Sequence, residues 1–427
     1  MKRILFLMAC ISLISAAFVK ADVSDKNEQL IRAAKDGNLP AVQTALTDGA
    51  DVDAKDSDKG VTALLWAAYY GHADVAKLLL EKGADANAKV NNDATALMVA
   101  AQNGHIEVIK LLLGKGADVN TKRTADNATA LMAAAQNGHP DVVKLLLENG
   151  ADANVKRTDT GTTALFIAAA EGRMEVVKCL LSKSADVNVK STYDGTTALM
   201  AAMENGHVDI VKLLIEKGAD VNAKTTTDGS TALIMASYNG PVEVVKSLLE
   251  KGAEVNAKET TDGATALMMA VESGHVEIVK LLLEKGADVN IKRTTNGVTA
   301  LMMAVGGGQV EIVKLLLEKG ADVNAKDTID GTTALTAAAE NGHTEVVKLL
   351  LEKGANVNAK ATTDGATALI MAVKNGHVDV VKLLLGAKAD VKAKTSNGKK
   401  GHTALSIAKE AGRTDIVQLL ERAGAKK

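Results

Sequence analysis

Apolar residues recur in two short blocks that alternate along most of the chain. In the segment from Asp228 to Lys258, the first block follows Thr231, whose hydroxyl is suited to cap a helix, and ends at Asn239-Gly240. The second block ends at Gly252, the residue type that most easily takes the left-handed conformation after a helix. Its apolar positions are Val244, Val245, Leu248 and Leu249, and its polar side carries Glu243, Lys246 and Glu250. The pattern predicts helix, turn, helix and loop.

This unit is repeated at a nearly constant period. The tripeptide Thr-Ala-Leu begins at Thr62, Thr95, Thr129, Thr163, Thr197, Thr231, Thr265, Thr299, Thr333, Thr367 and Thr403. Eight consecutive intervals are 34 residues long, with one of 33 before them and one of 36 after them. Helices below about 12 residues are marginal alone, so each unit must bury its apolar faces against its neighbours. The repeat predicts an all-α stacked solenoid.

The repeated motifs resemble the ankyrin repeat family across nearly the whole chain. They read Gly-x-Thr-Ala-Leu, then Ala-Ala-x-x-Gly-His, then Val-Val-Lys-Leu-Leu-Leu-Glu-Lys-Gly-Ala-Asp-Val-Asn-Ala. The resemblance implies helix-turn-helix units joined by β-hairpin finger loops, in about twelve repeats. Ala stands where the family usually has Pro after the Thr, and the family's usual His after the Leu is absent. The extra residue of the 34-residue period is assigned to the finger turn between Lys224 and Asp228, which predicts slightly longer fingers.

The two ends of the repeat array differ from its middle. Residues 1–21 combine Lys2 and Arg3 with an apolar run that ends near Ala21, which predicts a signal peptide cleaved after Ala21. Residues 22–427 form the predicted ankyrin domain, with a capping repeat at 28–54, inner repeats at 55–394 and a second capping repeat at 395–427. Asp25 and Glu28 have capping-box spacing. A lipid-anchored N-terminus at Cys10 is the alternative interpretation of the first segment. We expect a periplasmic or secreted monomer without a transmembrane anchor after cleavage.

Two repeats lack the Gly that ends the second helix. Ser184 and Lys388 occupy that position, so we expect both residues to adopt a positive φ at a cost of about 1 kcal/mol each.

The residues that carry chemistry are all better explained by structure. Seven of the eight histidines follow a Gly at one repeat position, which indicates a role in the turn between helices and not a metal cluster. Cys179 replaces the first Leu of a Leu-Leu-Leu triplet and is predicted to point inward. A net charge of −2 with interspersed signs predicts no nucleic-acid partner. We therefore expect no enzyme activity, cofactor, metal or catalytic residue.

The candidate binding residues lie on the fingers and on the first helix of each repeat, because the resemblance implies docking on the concave side. Aromatic residues are only 2% of the chain, yet Trp66, Tyr69 and Tyr70 fall within five positions. Such side chains dominate interface hot spots, although Trp66 could also serve as packing at the first repeat junction. Further candidates are Tyr238, the finger residue Tyr193 and a methionine row at Met235, Met269, Met303 and Met371, with Arg123, Arg157 and Arg293 as secondary finger candidates.

The methionine row has two interpretations, since Met fills cores and also forms adaptable binding surfaces. The functional hypothesis is a non-catalytic, exported scaffold that binds another protein through the concave face and finger loops, as an inhibitor or protector. The alternatives are a secreted effector that acts on another cell's proteins, and a glycan-binding envelope protein that stacks sugars on its aromatic cluster.

Overall fold

The computed structural model describes residues 26–396 and 401–426. The predicted signal peptide with Cys10, and the capping residue Asp25, lie outside these residues. The described chain holds 24 α-helices that follow one another as twelve pairs, and its only β structure is isolated antiparallel bridges. The predicted all-α repeat solenoid is therefore confirmed. Every helix in these residues is too short, or insufficiently apolar, to span a bilayer.

The described residues form two compact units. The first comprises residues 26–158 with 182–184, and the second comprises residues 159–181, 185–396 and 401–426. The helices of the first unit are α1 (Lys26–Lys35), α2 (Leu39–Thr47), α3 (Ala63–Tyr70), α4 (Ala73–Glu81), α5 (Ala96–Asn103), α6 (Ile106–Gly114), α7 (Ala130–Asn137) and α8 (Pro140–Glu148).

The second unit continues the same alternation with sixteen helices. They are α9 (Ala164–Ala170), α10 (Met174–Ser182), α11 (Ala198–Glu204), α12 (Val208–Glu216), α13 (Ala232–Asn239), α14 (Val242–Glu250), α15 (Ala266–Glu272), α16 (Val276–Glu284), α17 (Ala300–Gly306), α18 (Val310–Glu318), α19 (Ala334–Asn341), α20 (Thr344–Glu352), α21 (Ala368–Asn375), α22 (Val378–Gly386), α23 (Ala404–Glu410) and α24 (Thr414–Arg422). Ser182, the last residue of α10, is grouped with the first unit.

Each Thr-Ala-Leu begins a first helix as its sequence predicts. The Thr is extended, and its hydroxyl accepts a hydrogen bond from the backbone N–H three residues later in all eleven copies. Such a cap is worth about 1 kcal/mol. The Leu of each tripeptide is buried, as are the paired Val or Ile residues in the first turn of the inner second helices, so the core is a row of small apolar layers.

The second helices end as the glycine pattern predicts. Gly252 and its equivalents have positive φ, and Ser184 and Lys388 hold the same conformation at φ 63° and 65°. The prediction of strained non-Gly residues at these two sites is confirmed. Asp93 at φ 62° and Asn127 at φ 58° are two further cases, at finger positions where other repeats carry Gly.

An asparagine in the loop after most second helices links successive repeats. The side-chain Oδ1 of Asn222 accepts from the N–H of Glu254 at 2.8 Å, and its Nδ2 donates to the carbonyl of Gly252 at 3.0 Å. The same pair of bonds occurs at Asn87, Asn120 and Asn290. These bonds satisfy loop backbone groups across a repeat boundary, which the sequence of one repeat does not reveal.

The fingers form a second link between repeats. In the second unit each finger tip donates a backbone N–H to the preceding finger, for example Thr226 to the carbonyl of Asp194 at 2.7 Å and Thr260 to Asp228 at 2.6 Å. The Gly of each Asp-Gly turn allows this approach. At Gly229, which has φ 72°, an added Cβ would lie 2.8 Å from Cγ2 of Thr260. The predicted hairpins are closed by single bridges such as Lys224 to Thr231.

Candidate functional site

The seven histidines of the Gly-His motif connect each repeat to the one before it. In every case Nε2 lies 2.9–3.3 Å from a backbone carbonyl oxygen in the first helix of the preceding repeat. Because a carbonyl can only accept, Nε2 carries the proton and donates. The predicted structural role is therefore correct, but the hydrogen bond crosses a repeat boundary and does not stay within the turn. These residues are His72, His105, His139, His207, His275, His343 and His377.

Where the following repeat carries the histidine, the Gly of the motif makes room for its ring. A Cβ on Gly71 would lie 2.5 Å from Nδ1 of His105, and one on Gly104 would lie 2.9 Å from Cε1 of His139. Gly206 faces a repeat that has Pro241 in place of histidine, and a Cβ there would meet nothing within 4 Å. Among the described residues, no group of three or more His, Cys, Asp or Glu is arranged to hold a metal ion.

Trp66, Tyr69 and Tyr70 form one packed aromatic cluster in the first unit. Trp66 stacks on Tyr70 with ring centroids 5.9 Å apart and meets Tyr69 edge-on at 6.0 Å. The Nζ of Lys35 lies 5.0 Å from the centre of the Trp66 ring, a cation–π contact. Trp66 is only 3% exposed, whereas Tyr70 is 43% exposed. Of the two interpretations of Trp66, its burial favours packing, since it lies beneath the tyrosines.

The environment of Tyr70 favours its neutral phenol. Burial raises the pKa of Tyr70, and the nearby groups Tyr69 and Asp36 raise this pKa further. Tyr69 is half-buried between the two other rings. The cluster therefore presents one uncharged tyrosine edge to solvent at neutral pH.

The methionine row of the second unit is neither a buried core nor an open stripe. Met235, Met269, Met303 and Met371 are all half-buried, while Ala201 in the same register is buried.

Large apolar side chains are instead exposed at the finger tips and beside the methionine row. Tyr193 is 68% exposed and Tyr238, one turn after Met235 on α13, is 53% exposed. Ile329, which the sequence pattern did not single out, is 71% exposed at the finger position equivalent to Tyr193.

The three arginines considered as secondary candidates are held in ion pairs. Arg123 and Arg157 both bind the buried carboxylate of Asp126, with Nη2 of Arg157 2.8 Å from Oδ2. Arg293 places Nη1 3.3 Å from Asp262 and Nη2 3.1 Å from Glu272. These guanidinium groups brace the fingers, so the sequence-based suggestion that they contact a partner is not supported by their geometry.

Cys179 is less buried than its sequence context predicts. It is half-exposed, as are the equivalent Leu111 and Leu145, because this position of the second helix lies at the edge of the core. The side chain predicted to point inward is therefore only partly buried.

Comparison with known proteins assigns the repeat. A family model described as "Ankyrin repeats (3 copies)" matches residues 30–123, 121–191, 189–259, 257–327, 288–361, 326–395 and 360–427. The chain is also similar to the "Ankyrin repeat and SAM domain-containing protein 6" of Mus musculus, at 43% identity over 63 residues, and of Rattus norvegicus, at 41% over 63 residues. Each match covers 15% of this chain and 7% of the relative, so it concerns the repeat alone. The chain belongs to the ankyrin repeat family, whose repeats are scaffolds for protein–protein interaction.

Proposed function

We propose that this protein is an exported, non-catalytic scaffold that binds a partner protein through its fingers and the exposed faces of its first helices. One observation carries the proposal. Of the five exposed large apolar side chains in the described residues, four lie at finger tips or at the ends of first helices. They are Tyr70, Tyr193, Tyr238 and Ile329, whereas Val242 begins a second helix. Exposed aromatic side chains concentrated on one kind of surface are typical of interfaces.

The chemistry of the repeat supports a binding role over catalysis. The histidines that recur in register donate their ring N–H groups to backbone carbonyls, and the buried Asp126 is held by two arginines. A scaffold of this kind acts by covering its partner. Restraint or protection of that partner is therefore the mode of action that we propose.

Export is the second part of the proposal, and it depends on the apolar segment before Ala21. Intact-mass measurement of the protein recovered from the periplasm or the medium tests it directly. We expect the mass of a chain that begins at Asp22. A lipid-modified chain beginning at Cys10 would replace this proposal with membrane anchoring, and an unprocessed chain inside the cell would contradict export.

Crosslinked capture from the exported protein fraction tests the binding role. The bait is the mature chain, compared with a Tyr193→Ser, Tyr238→Ser, Ile329→Ser variant whose helical circular dichroism is unchanged. Val242→Ser is the matched control, because Val242 is exposed at 40% but lies on a second helix. We expect the same protein to be captured by the wild type and the control and lost by the triple variant. Equal capture by all three would contradict the proposed surface.

A further inference from the structure

The finger side of the second unit carries acidic groups next to its exposed tyrosines. Asp194 follows Tyr193 in one finger, Asp228 occupies the same position in the next finger, and Glu204 ends the first helix between them. None of these three carboxylates forms an ion pair with any described residue, in contrast to Asp262 and Glu272 further along the unit. Negative charge is thus left uncompensated beside an apolar surface.

The electrostatics of Glu204 report the same excess, whereas at Asp228 burial is outweighed by hydrogen bonds from Thr225 and Ser230, which lower the pKa. Desolvation raises the pKa of Glu204, and the negative charges of Asp194 and Asp228 raise this pKa further. Glu259 in the following finger also has a raised pKa, through burial and through Asp228 and Asp262. A cation placed among these groups would relieve that repulsion.

The repeat itself shows which cation fits this location. Two repeats later, Arg293 bridges Asp262 and Glu272 with its two terminal nitrogens at 3.3 and 3.1 Å. Asp194 and Glu204 stand 68 residues before that pair, at the same repeat positions, and Thr225 stands where Arg293 would be. In the first unit, Arg157 binds Asp126 from the same finger position. The fold therefore accommodates a guanidinium group at this position twice, and at Asp194 and Glu204 the chain does not supply one.

We propose that the surface formed by Tyr193, Asp194, Glu204, Asp228 and Tyr238 binds an arginine-bearing segment of the partner, with a guanidinium group between Asp194 and Glu204. Charge complementarity and the geometry of Arg293 favour arginine, whose planar fork can bond two carboxylates at once. The exposed rings of Tyr193 and Tyr238 supply the apolar and cation–π contacts that flank such a side chain. This inference rests on the proposed function and specifies the partner's chemistry.

Binding of a synthetic peptide tests this inference without knowledge of the natural partner. The probe is a short peptide that alternates arginine and leucine, and its twin carries citrulline, a neutral isostere, at each arginine. Titration calorimetry with the full mature chain measures both affinities. We expect the arginine peptide to bind at least about tenfold more tightly, as charge-assisted hydrogen bonds predict. Equal affinity for both peptides would overturn the proposal in favour of a purely apolar surface.

A variant of the chain tests the location. Thr225→Arg copies the arrangement at Arg293, so its own guanidinium group should occupy the site. We expect the affinity for the arginine peptide to fall about tenfold. Thr344→Arg adds the same charge at an exposed residue of α20 and should leave affinity unchanged. Glu204→Gln removes one carboxylate without touching the Thr225 hydrogen bonds and should also weaken binding. Equal effects of Thr225→Arg and Thr344→Arg would show nonspecific attraction and overturn the site.

The outcome is separable from that of the proposed function. If the Tyr193→Ser, Tyr238→Ser, Ile329→Ser variant no longer captures the partner but the Thr225→Arg variant still does, the scaffold role stands and the arginine site fails. If Thr225→Arg abolishes capture and Thr344→Arg does not, both are supported.

Discussion

At the scale of single residues, a few positions depart from the repeat pattern and each departure has a physical cost. Ser184 and Lys388 hold positive φ where other repeats have Gly, and a side chain in this conformation is strained by about 1 kcal/mol. Gln309 replaces histidine and donates through Nε2 to the carbonyl of Val271 at 2.9 Å, but its buried Oε1 has no hydrogen-bond partner in the described chain. The stability of the molecule is therefore uneven along its length.

Relief of the strained turns should stabilise the protein. We expect Ser184→Gly and Lys388→Gly each to raise the free energy of unfolding by up to about 1 kcal/mol. The substitution removes the backbone strain, but part of this gain is offset because Gly makes the unfolded chain more flexible. Urea denaturation followed by circular dichroism measures the change. Lys353→Gly, one residue before the Gly of an ordinary repeat, is the control and should destabilise. A loss of stability in the first two variants would contradict the strain argument.

Gln309→His should also stabilise the fold. Histidine at this position donates one ring N–H and leaves no buried amide oxygen without a partner, and an unsatisfied buried acceptor costs about 1–3 kcal/mol. Gly274 leaves space for the ring, since a Cβ there would meet Gln309 only at 3.6 Å. We expect an increase of about 1 kcal/mol in the free energy of unfolding, and an unchanged or lower value would contradict this account of the histidine position.

Asp126 links its own finger to the next and makes stability depend on pH. Burial favours the neutral acid, but hydrogen bonds from Arg123 and Ala128 and the charges of Arg123 and Arg157 lower its pKa below 3.8. The ionised carboxylate therefore stabilises the folded state at neutral pH, and this contribution is lost as pH falls through the lowered pKa.

Asp126→Asn should remove that contribution. We expect a loss of about 3 kcal/mol at pH 7, because two guanidinium groups lose their buried partner. The difference from wild type should shrink as the pH falls below 3.8, where Asp126 also becomes protonated. Thermal unfolding of both proteins at pH 7 and at pH values below 3.8 measures this difference. A stability difference that is the same at neutral and at acidic pH would exclude the carboxylate charge as the cause.

At the scale of helices and turns, Gly-His is one structural unit shared by two repeats. Gly104 and Gly206 have nearly the same φ, 76° and 75°, but only Gly104 packs against a histidine. We expect Gly104→Ala to destabilise the protein by about 1 kcal/mol or more beyond Gly206→Ala, which suffers only the backbone strain. Equal losses in parallel denaturant titrations would show that the histidine contact contributes nothing.

The helices and turns could be predicted from the sequence, but the contacts between repeats could not. The Thr caps and the left-handed Ser184 and Lys388 depend on neighbouring residues, so they could be predicted from one repeat. The bonds of His139 and Asn222 join residues 30 to 37 positions apart, and their partners could not be identified before the repeats were stacked. The sequence left two interpretations of Trp66 open for the same reason, because its burial depends on how α1 and the two tyrosines cover it.

At the scale of the whole molecule, the first helices and fingers of each unit carry the variable and exposed groups, while the links between repeats use residues that recur in most repeats. Asn222, His207 and the fingertip amides repeat nearly unchanged and hold each unit together. Tyr193, Tyr238 and Ile329 occupy positions that differ from repeat to repeat. Such a division lets one architecture present a surface specific to one partner.

Hydrogen–deuterium exchange of the mature chain, with and without its captured partner, tests binding through the fingers and first helices. We expect slower exchange in the finger around residues 190–197 and in α11 and α13, because these segments carry Tyr193, Glu204 and Tyr238. The second helices α12 and α14 should exchange at the same rate in both samples. Protection confined to α12 and α14, with unchanged fingers, would contradict binding through this surface.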